Sequence, residues 1–120
     1  MAEVLKQEVQ NILMNIPEAN SVSLLSIDGL PIVTATAKGY DDDKITLITN
    51  AYKQMTDTVS TELMLNDVNE VVIKSEDQIM FIAEIKKIDA LLYISANAKA
   101  KLGLVLMEAQ RAIEQFSKVI

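Results

Sequence analysis

Residues 21–36 read SVSLLSIDGLPIVTAT, and the fold turns on how that stretch divides. Asp28-Gly29 separates two apolar runs. Asp-Gly in such a place is a strong hairpin signal, because glycine accepts the positive φ of a tight turn. In the run before the turn, Val22 and Leu24 fall on one face and Leu25 and Ile27 on the other. A strand that is apolar on both faces sits inside a sheet covered on both sides. The segment therefore predicts a β-hairpin within a layered α/β structure.

On its N-terminal side, residues 3–16 predict a helix. Leu5, Val9, Ile12, Leu13 and Ile16 recur at spacings of three and four and share one face, with Glu3, Lys6, Gln10 and Asn15 off it. Pro17 suits a stop just beyond. On the other side, Asp41, Asp42 and Asp43 precede a long helix over about residues 43–65. Three consecutive acids lack the spacing of a calcium loop. They suit a helix N-cap and the positive end of the helix dipole.

This second helix carries more apolar surface than one sheet contact requires. On a wheel of about 100° per residue, Ile45, Ile48, Tyr52, Met55, Val59 and Leu63 form one stripe. Leu47, Ala51, Thr58 and Leu65 form a flanking stripe of small and apolar residues. The remaining arc is Thr46, Thr49, Asn50, Lys53, Thr56, Asp57 and Ser60, polar but nearly uncharged. A merely solvated face usually carries more Glu and Lys. The helix is therefore expected to touch a second chain.

Residues 70–85 predict a second hairpin, EVVIK and QIMFIAEI, joined near Ser75-Glu76-Asp77. ALLYIS at 90–95 makes a fifth strand after a short turn with Ile88 and Asp89. Asn97 is placed to cap a last helix over about residues 98–118. Leu102, Val105, Leu106, Ala109, Ala112, Ile113 and Phe116 make its expected buried face, with Leu104, Met107 and Arg111 off it. Gly103 lowers helix propensity, so close packing is its expected role. No linker, repeat or low-complexity stretch interrupts residues 1–120, which read as a single domain. The order α-β-β-α-β-β-β-α, with a long helix crossing between the hairpins, predicts a three-layer α/β sandwich.

Composition narrows the chemistry. The chain has no cysteine and no histidine. It therefore offers no thiolate nucleophile, no imidazole base near neutral pH and none of the usual zinc ligands. A formal charge of −6, one arginine (Arg111) and scattered lysines argue against nucleic acid or acidic lipid as partners. Aromatics at 4% are too few for a base-stacking platform. No apolar run approaches the roughly 20 residues that span a bilayer, and MAEVLKQEVQ has no apolar signal core. With 50% apolar residues and these absences, a cytoplasmic protein-binding module is expected, with no metal and no cofactor.

At the level of whole segments the chain resembles the roadblock/dynein light-chain family. The resemblance rests on four features: the hairpin SVSLLSIDGLPIVTAT, the long helix after an acidic loop, the hairpin EVVIKSEDQIMFIAEI, and LLYISANAKAKLGLVLMEAQRAI running from strand into helix. It implies a profilin-like, mainly antiparallel sheet of strand order 2-1-5-4-3, with one helix on one face and two on the other. It also implies a homodimer in which third strands pair edge to edge and second helices lie side by side. Edge pairing would dispose of the apolar edge Val71-Val72-Ile73, otherwise an aggregation hazard. The partner it implies is a Ras-like small GTPase, regulated or scaffolded without catalysis.

The expected dimer surface is Leu47, Ala51, Met55, Thr58 and Leu65 with Val71, Val72 and Ile73. The expected partner surface is Thr49, Lys53, Thr56 and Asp57. A small-molecule sensory domain of related fold is the alternative, though no Trp, His or Arg cluster marks a polar ligand pocket. Paired carboxylates could do acid–base work, but Glu76-Asp77 and Asp41 to Asp43 suit a turn and a cap.

Overall fold

Each patterned segment becomes one element. The computed structural model describes residues 2–41 and 45–119. In chain order these are α1 (Ala2–Asn15), β1 (Ala19–Ser26), β2 (Pro31–Thr36), α2 (Ile45–Leu63), β3 (Glu70–Lys74), β4 (Gln78–Ile85), a 3₁₀ turn (Lys86–Ile88), β5 (Ala90–Asn97) and α3 (Leu102–Ser117). The five strands form one sheet in the order β2-β1-β5-β4-β3, and every neighbouring pair is antiparallel. The expected sandwich and strand order are both present.

The period of two in the strands sorts side chains between the layers. Val22, Leu24, Phe81, Leu92 and Ile94 turn to the face covered by α1 and α3, where Val9, Ile12, Val105, Ala109 and Phe116 meet them. Leu25, Ile82, Leu91 and Tyr93 turn to the opposite face, under Ile45 and Tyr52 of α2. Phe81 and Phe116 are among the largest fully buried side chains. Truncating either to alanine would cost about 3–5 kcal/mol.

The β1–β2 connection shows why Gly29 stands where it does. The Ser26 amide donates to the Leu30 carbonyl at 2.8 Å, and the Gly29 amide to the Ser26 carbonyl at 2.9 Å. Leu30 N–H also donates to Ser26 Oγ at 3.1 Å. Gly29 sits at φ 92°, and a Cβ there would lie 3.3 Å from the Thr49 side chain on α2. The positive φ strains any side chain there, and Thr49 would have to yield by a few tenths of an ångström to admit a Cβ.

The seam between α1 and α3 is polar at its centre. Arg111 Nη1 donates to Glu8 Oε1 at 2.6 Å, and Nη2 to Glu108 Oε1 at 3.1 Å. Asn15 Nδ2 donates to the same Glu108 oxygen at 3.0 Å. Partial burial works against the Arg111 charge, but hydrogen bonds to Glu108 and Glu8 outweigh it and raise its pKa.

Three expectations about helix ends and packing are corrected. Asn97 closes β5 instead of capping α3: its Oδ1 accepts from Lys99 N–H at 2.9 Å, and the helix begins at Leu102 after Lys101, which makes no side-chain cap. An Asx turn has captured that side chain before the helix starts. Gly103 has no atom within 4 Å of a built Cβ, so packing within this chain does not require it. Leu106 is 36% exposed and lies outside the α3 core face, whose buried members are Val105, Glu108, Ala109, Ala112 and Phe116. The cap expected of Asp41 to Asp43 lies partly outside the described residues, which omit Asp42 and Asp43; Asp41 is exposed.

Candidate protein–protein interface

Ile45, Ile48, Tyr52, Met55, Val59 and Leu63 were expected to form one apolar stripe of α2. The helix's fully buried residues are Ile45, Thr49, Tyr52 and Thr56, with Ile48 and Val59 half-buried. The helix is turned by about 30° relative to the apolar stripe. Thr49 rests on the hairpin tip at Gly29. Thr56 satisfies its hydroxyl within the helix, donating to the Tyr52 carbonyl at 2.9 Å. The rotation leaves Met55 39% exposed. Leu63 has a different reason: about five turns after Ile45 it returns to the same angle, yet it is 65% exposed. There the helix outruns the layer beneath it.

Thr49 and Thr56, expected on the partner-binding surface, are therefore corrected to supports beneath the helix, at 2% and 8% exposure. Lys53 and Asp57 remain exposed. On the opposite side of α2 from Ile45 and Tyr52, Leu47, Ala51 and Thr58 are exposed, Leu47 at 64%, and Leu65 is exposed just beyond the helix end. Ala51, Met55 and Thr58 border a shallow groove with Gln54 and Val59. The helix ends on Met64 in the left-handed conformation, φ 55°, and Leu65 N–H reaches back to the Ser60 carbonyl at 3.0 Å. Leu63, Met64 and Leu65 thus form an exposed apolar corner. No glycine marks that cap, so the sequence carried no signal for it.

Tyr52 anchors α2 to the start of β3. Its hydroxyl donates to the Asn69 carbonyl at 3.2 Å. Burial pushes the phenol up to about 12, helped by the charges of Glu84 and Glu70. Glu84 also borders a polar cleft with Thr56, Asp57, Ser60, Asp67 and Lys86. Lys86 Nζ bonds Asp67 Oδ2 there at 3.0 Å, an exposed pair of small energetic weight.

β3 is an outer strand of the sheet. The Glu84 amide donates to the Asn69 carbonyl, and the Ser75 amide to the Gln78 carbonyl. With Val71 opposite Ile82 and Ile73 opposite Met80, the antiparallel alternation turns the backbone groups of 69, 71, 73 and 75 toward β4. Those of Glu70, Val72 and Lys74 point to the open edge. Val72 and Ile73 are 38% and 39% exposed, and Val71 is half-buried. The expected dimer residues thus lie on one exposed helix side and one strand edge. The opposite charges at the two ends of EVVIK were visible in the sequence, but which backbone groups of this edge strand face outward was not.

Among the described residues no three acidic side chains gather into a metal-holding group, and no helix is long and apolar enough to cross a membrane.

The Roadblock/LC7 domain family model matches residues 5–96. Among solved structures, Myxococcus xanthus MglB is similar with TM-score 0.85 and 14% identity, over 98% of this chain and 88% of that one. A Roadblock/LC7 domain from Streptomyces avermitilis matches with TM-score 0.77 and 16% identity, over 94% of each chain. Acanthamoeba castellanii profilin II matches with TM-score 0.62 and 14% identity, over 95% of this chain and 97% of that one. None of the curated proteins matches the sequence.

Proposed function

The chain belongs to the Roadblock/LC7 family, and from that premise we propose that it is a homodimeric, non-catalytic cytoplasmic module that binds a Ras-like small GTPase and regulates or scaffolds it. The observation that carries this reading is the apolar surface left open on α2 and along β3. Leu47, Ala51, Met55 and Leu65 lie exposed on the same chain as an open strand edge bearing Val72. A second copy covers both at once.

The edge also suggests how two copies meet. Glu70, Val72 and Lys74 direct their backbone groups outward, so an antiparallel pair with its twofold axis at Val72 satisfies all of them. In that register Glu70 faces the partner's Lys74 on one side of the sheet. Opposite charges directly across an antiparallel pair contribute roughly 0.2–1 kcal/mol each. The apolar side of α2 then lies beside its twofold mate, and Leu63 gains a layer to rest on.

The GTPase is assigned to the surface formed by the two second helices, with Lys53 and Asp57 in contact. Arg111 is tied to Glu8 and Glu108 on the α1–α3 side of the sheet, so it is not offered to a GTPase on the α2 side. Stimulation of hydrolysis would come from holding the GTPase's own switch segments in a competent geometry.

The test has two arms. Light scattering at micromolar concentration should give a dimer mass, and Ala51→Arg, which forces a charge into the helix pair, should give a monomer. The GTPase that co-purifies with the protein should bind the Lys53→Ala/Asp57→Ala variant more weakly while that variant stays dimeric. A monomeric unmodified protein overturns the dimer. Normal binding by the double variant overturns the docking face.

A further inference from the structure

α2 ends on a strained residue. Met64 has φ 55°, and a bulky side chain at positive φ is a backbone outlier. Glycine is the usual residue where a helix closes this way. Among the described residues, Asp89 is the other non-glycine at positive φ, and a short polar side chain visits that region far more readily. The backbone does not need Met64. Met64 N–H reaches the Thr61 carbonyl at 3.4 Å and Leu65 N–H the Ser60 carbonyl at 3.0 Å, bonds that a glycine would allow equally. Nor does packing within the chain, because Met64 is 91% exposed. Strain of this kind is held where a contact compensates it, and it clusters at functional sites.

Leu63 and Leu65 flank Met64 and are exposed as well, so the helix ends in an apolar knob. Ser60 and Thr61 border the cleft that Asp67, Glu84 and Lys86 share. The knob therefore stands at the Glu70 end of the open β3 edge. The other end of that edge is under-covered. Val71 lies opposite Ile82 and Ile73 opposite Met80, and the period of two turns all four to the α2 side. Ile82 is buried beneath the helix, whereas Ile73 is 39% exposed and Met80 half-buried.

A twofold axis at Val72 brings the Glu70 end of one edge beside the Lys74 end of the other. Each knob then meets the open seat of the other copy. An isologous contact requires this self-complementarity. Charge agrees with it. Between Lys53 and Lys74 the only charged residues are the acids Asp57, Glu62, Asp67 and Glu70, so an acidic knob end approaches a seat bordered by Lys74.

We infer that Met64 is an anchor of the homodimer: its side chain, with Leu63, seats on the partner's Ile73 and the partner's Met80, and that contact offsets the strain at its own Cα. The inference rests on the dimer proposed above and adds to it a residue whose effects on the single chain and on the pair have opposite signs.

Met64→Gly tests those signs. Below the dimer midpoint concentration the variant should unfold at a higher urea concentration than the unmodified protein, because the φ strain is gone. By analytical ultracentrifugation it should dimerise at least about tenfold more weakly, a loss of about 1.4 kcal/mol. Met64→Ala keeps the strain and loses the anchor, so it should weaken the dimer with no rise in the urea midpoint. Met64→Ala and Ile73→Ala combined should cost the dimer less than the sum of their separate losses, since both remove one contact. The inference is overturned by a Met64→Gly dimer of unchanged affinity, by no rise in its urea midpoint, or by additive losses in the Met64–Ile73 pair. It is also overturned if Met64→Gly weakens binding of the co-purifying GTPase and leaves the dimer intact, since the knob then faces that partner. A monomeric unmodified protein overturns the dimer and the anchor together, whereas a dimer indifferent to Met64 overturns the anchor alone.

Discussion

Gly29 meets two demands at one Cα: a positive φ and a helix overhead. Gly29→Ala strains the first and presses a methyl to 3.3 Å from Thr49. It should lower stability by about 1–3 kcal/mol, read from the urea midpoint. Gly29→Ala/Thr49→Ala removes the contact with Thr49 Oγ1 but keeps the one with its Cβ and the φ strain, so the double variant should recover part of the sum of the two single losses. Simple additivity would show that the Thr49 hydroxyl plays no part. Tyr52 behaves differently, through its proton. Its phenol is raised to about 12 by burial first and then by Glu84 and Glu70. A phenol with a folded pKa above its unfolded value of about 10 adds stability that is fully present below pH 10. That stability is lost as pH rises through 12. Tyr52→Phe should cost about 1 kcal/mol at neutral pH through the lost bond to Asn69. It should also lose less than the unmodified protein between pH 10 and pH 12. Parallel stability curves over that range would refute the assignment.

At the scale of elements, α2 and β3 each have one finished side and one unfinished side. β3 is the simpler case, because its open edge is short and its registers are few. If the twofold passes through Val72, Glu70→Lys and Lys74→Glu should each weaken the dimer. The two together should restore it, since both cross-edge pairs are then rebuilt with signs exchanged. Sedentary charge effects of this size, roughly 0.2–1 kcal/mol per pair, are measurable as a shift in the monomer–dimer midpoint by analytical ultracentrifugation. Independent, additive losses would place the axis elsewhere. The α2 stripe shows the same incompleteness by another route. Ile45 and Tyr52 find the sheet, whereas Leu63 at an equivalent angle does not. A helix longer than its own support is stabilised by a neighbour, because burial of an amphipathic face contributes more than intrinsic propensity.

For the whole molecule, the sheet separates two sets of tasks. The α2 side carries the proposed protein contacts. The other side carries the α1–α3 seam. Arg111 belongs to the seam, where Arg111→Ala would leave Glu108, only 7% exposed, without its cation and with Asn15 as its remaining partner. A loss of about 1.5–3 kcal/mol is expected, as for hydrogen bonds to charged groups. In single-turnover GTP hydrolysis with the co-purifying GTPase, the same variant should stimulate as the unmodified protein does, provided it remains folded and bound. An inserted arginine is worth about 10³–10⁵ in rate, so a loss of that size with intact binding would overturn both the indirect mechanism and the docking face.

The sequence by itself determined the element order, both hairpins and the apolar periods, because strand alternation and helix repeat are local covalent geometry. EVVIK and QIMFIAEI became β3 and β4 at their own boundaries. The dimer surface proposed on α2 and β3 rests on residues such as Leu47, Leu65 and Val72, which are apolar and exposed on the single chain. Only the tertiary structure decided which arc of α2 meets the sheet. Thr49 and Thr56 entered the buried side, while Met55 of the apolar stripe stayed outside it, because the Gly29 turn accepts a threonine and Thr56 can bond its own helix backbone. The wheel could not see either partner. The pairing of Arg111 with Glu8, far away in sequence, and that of Tyr52 with Asn69 were likewise beyond it. Each depends on how separate elements come together in space, and a period within one element contains no information about that distance.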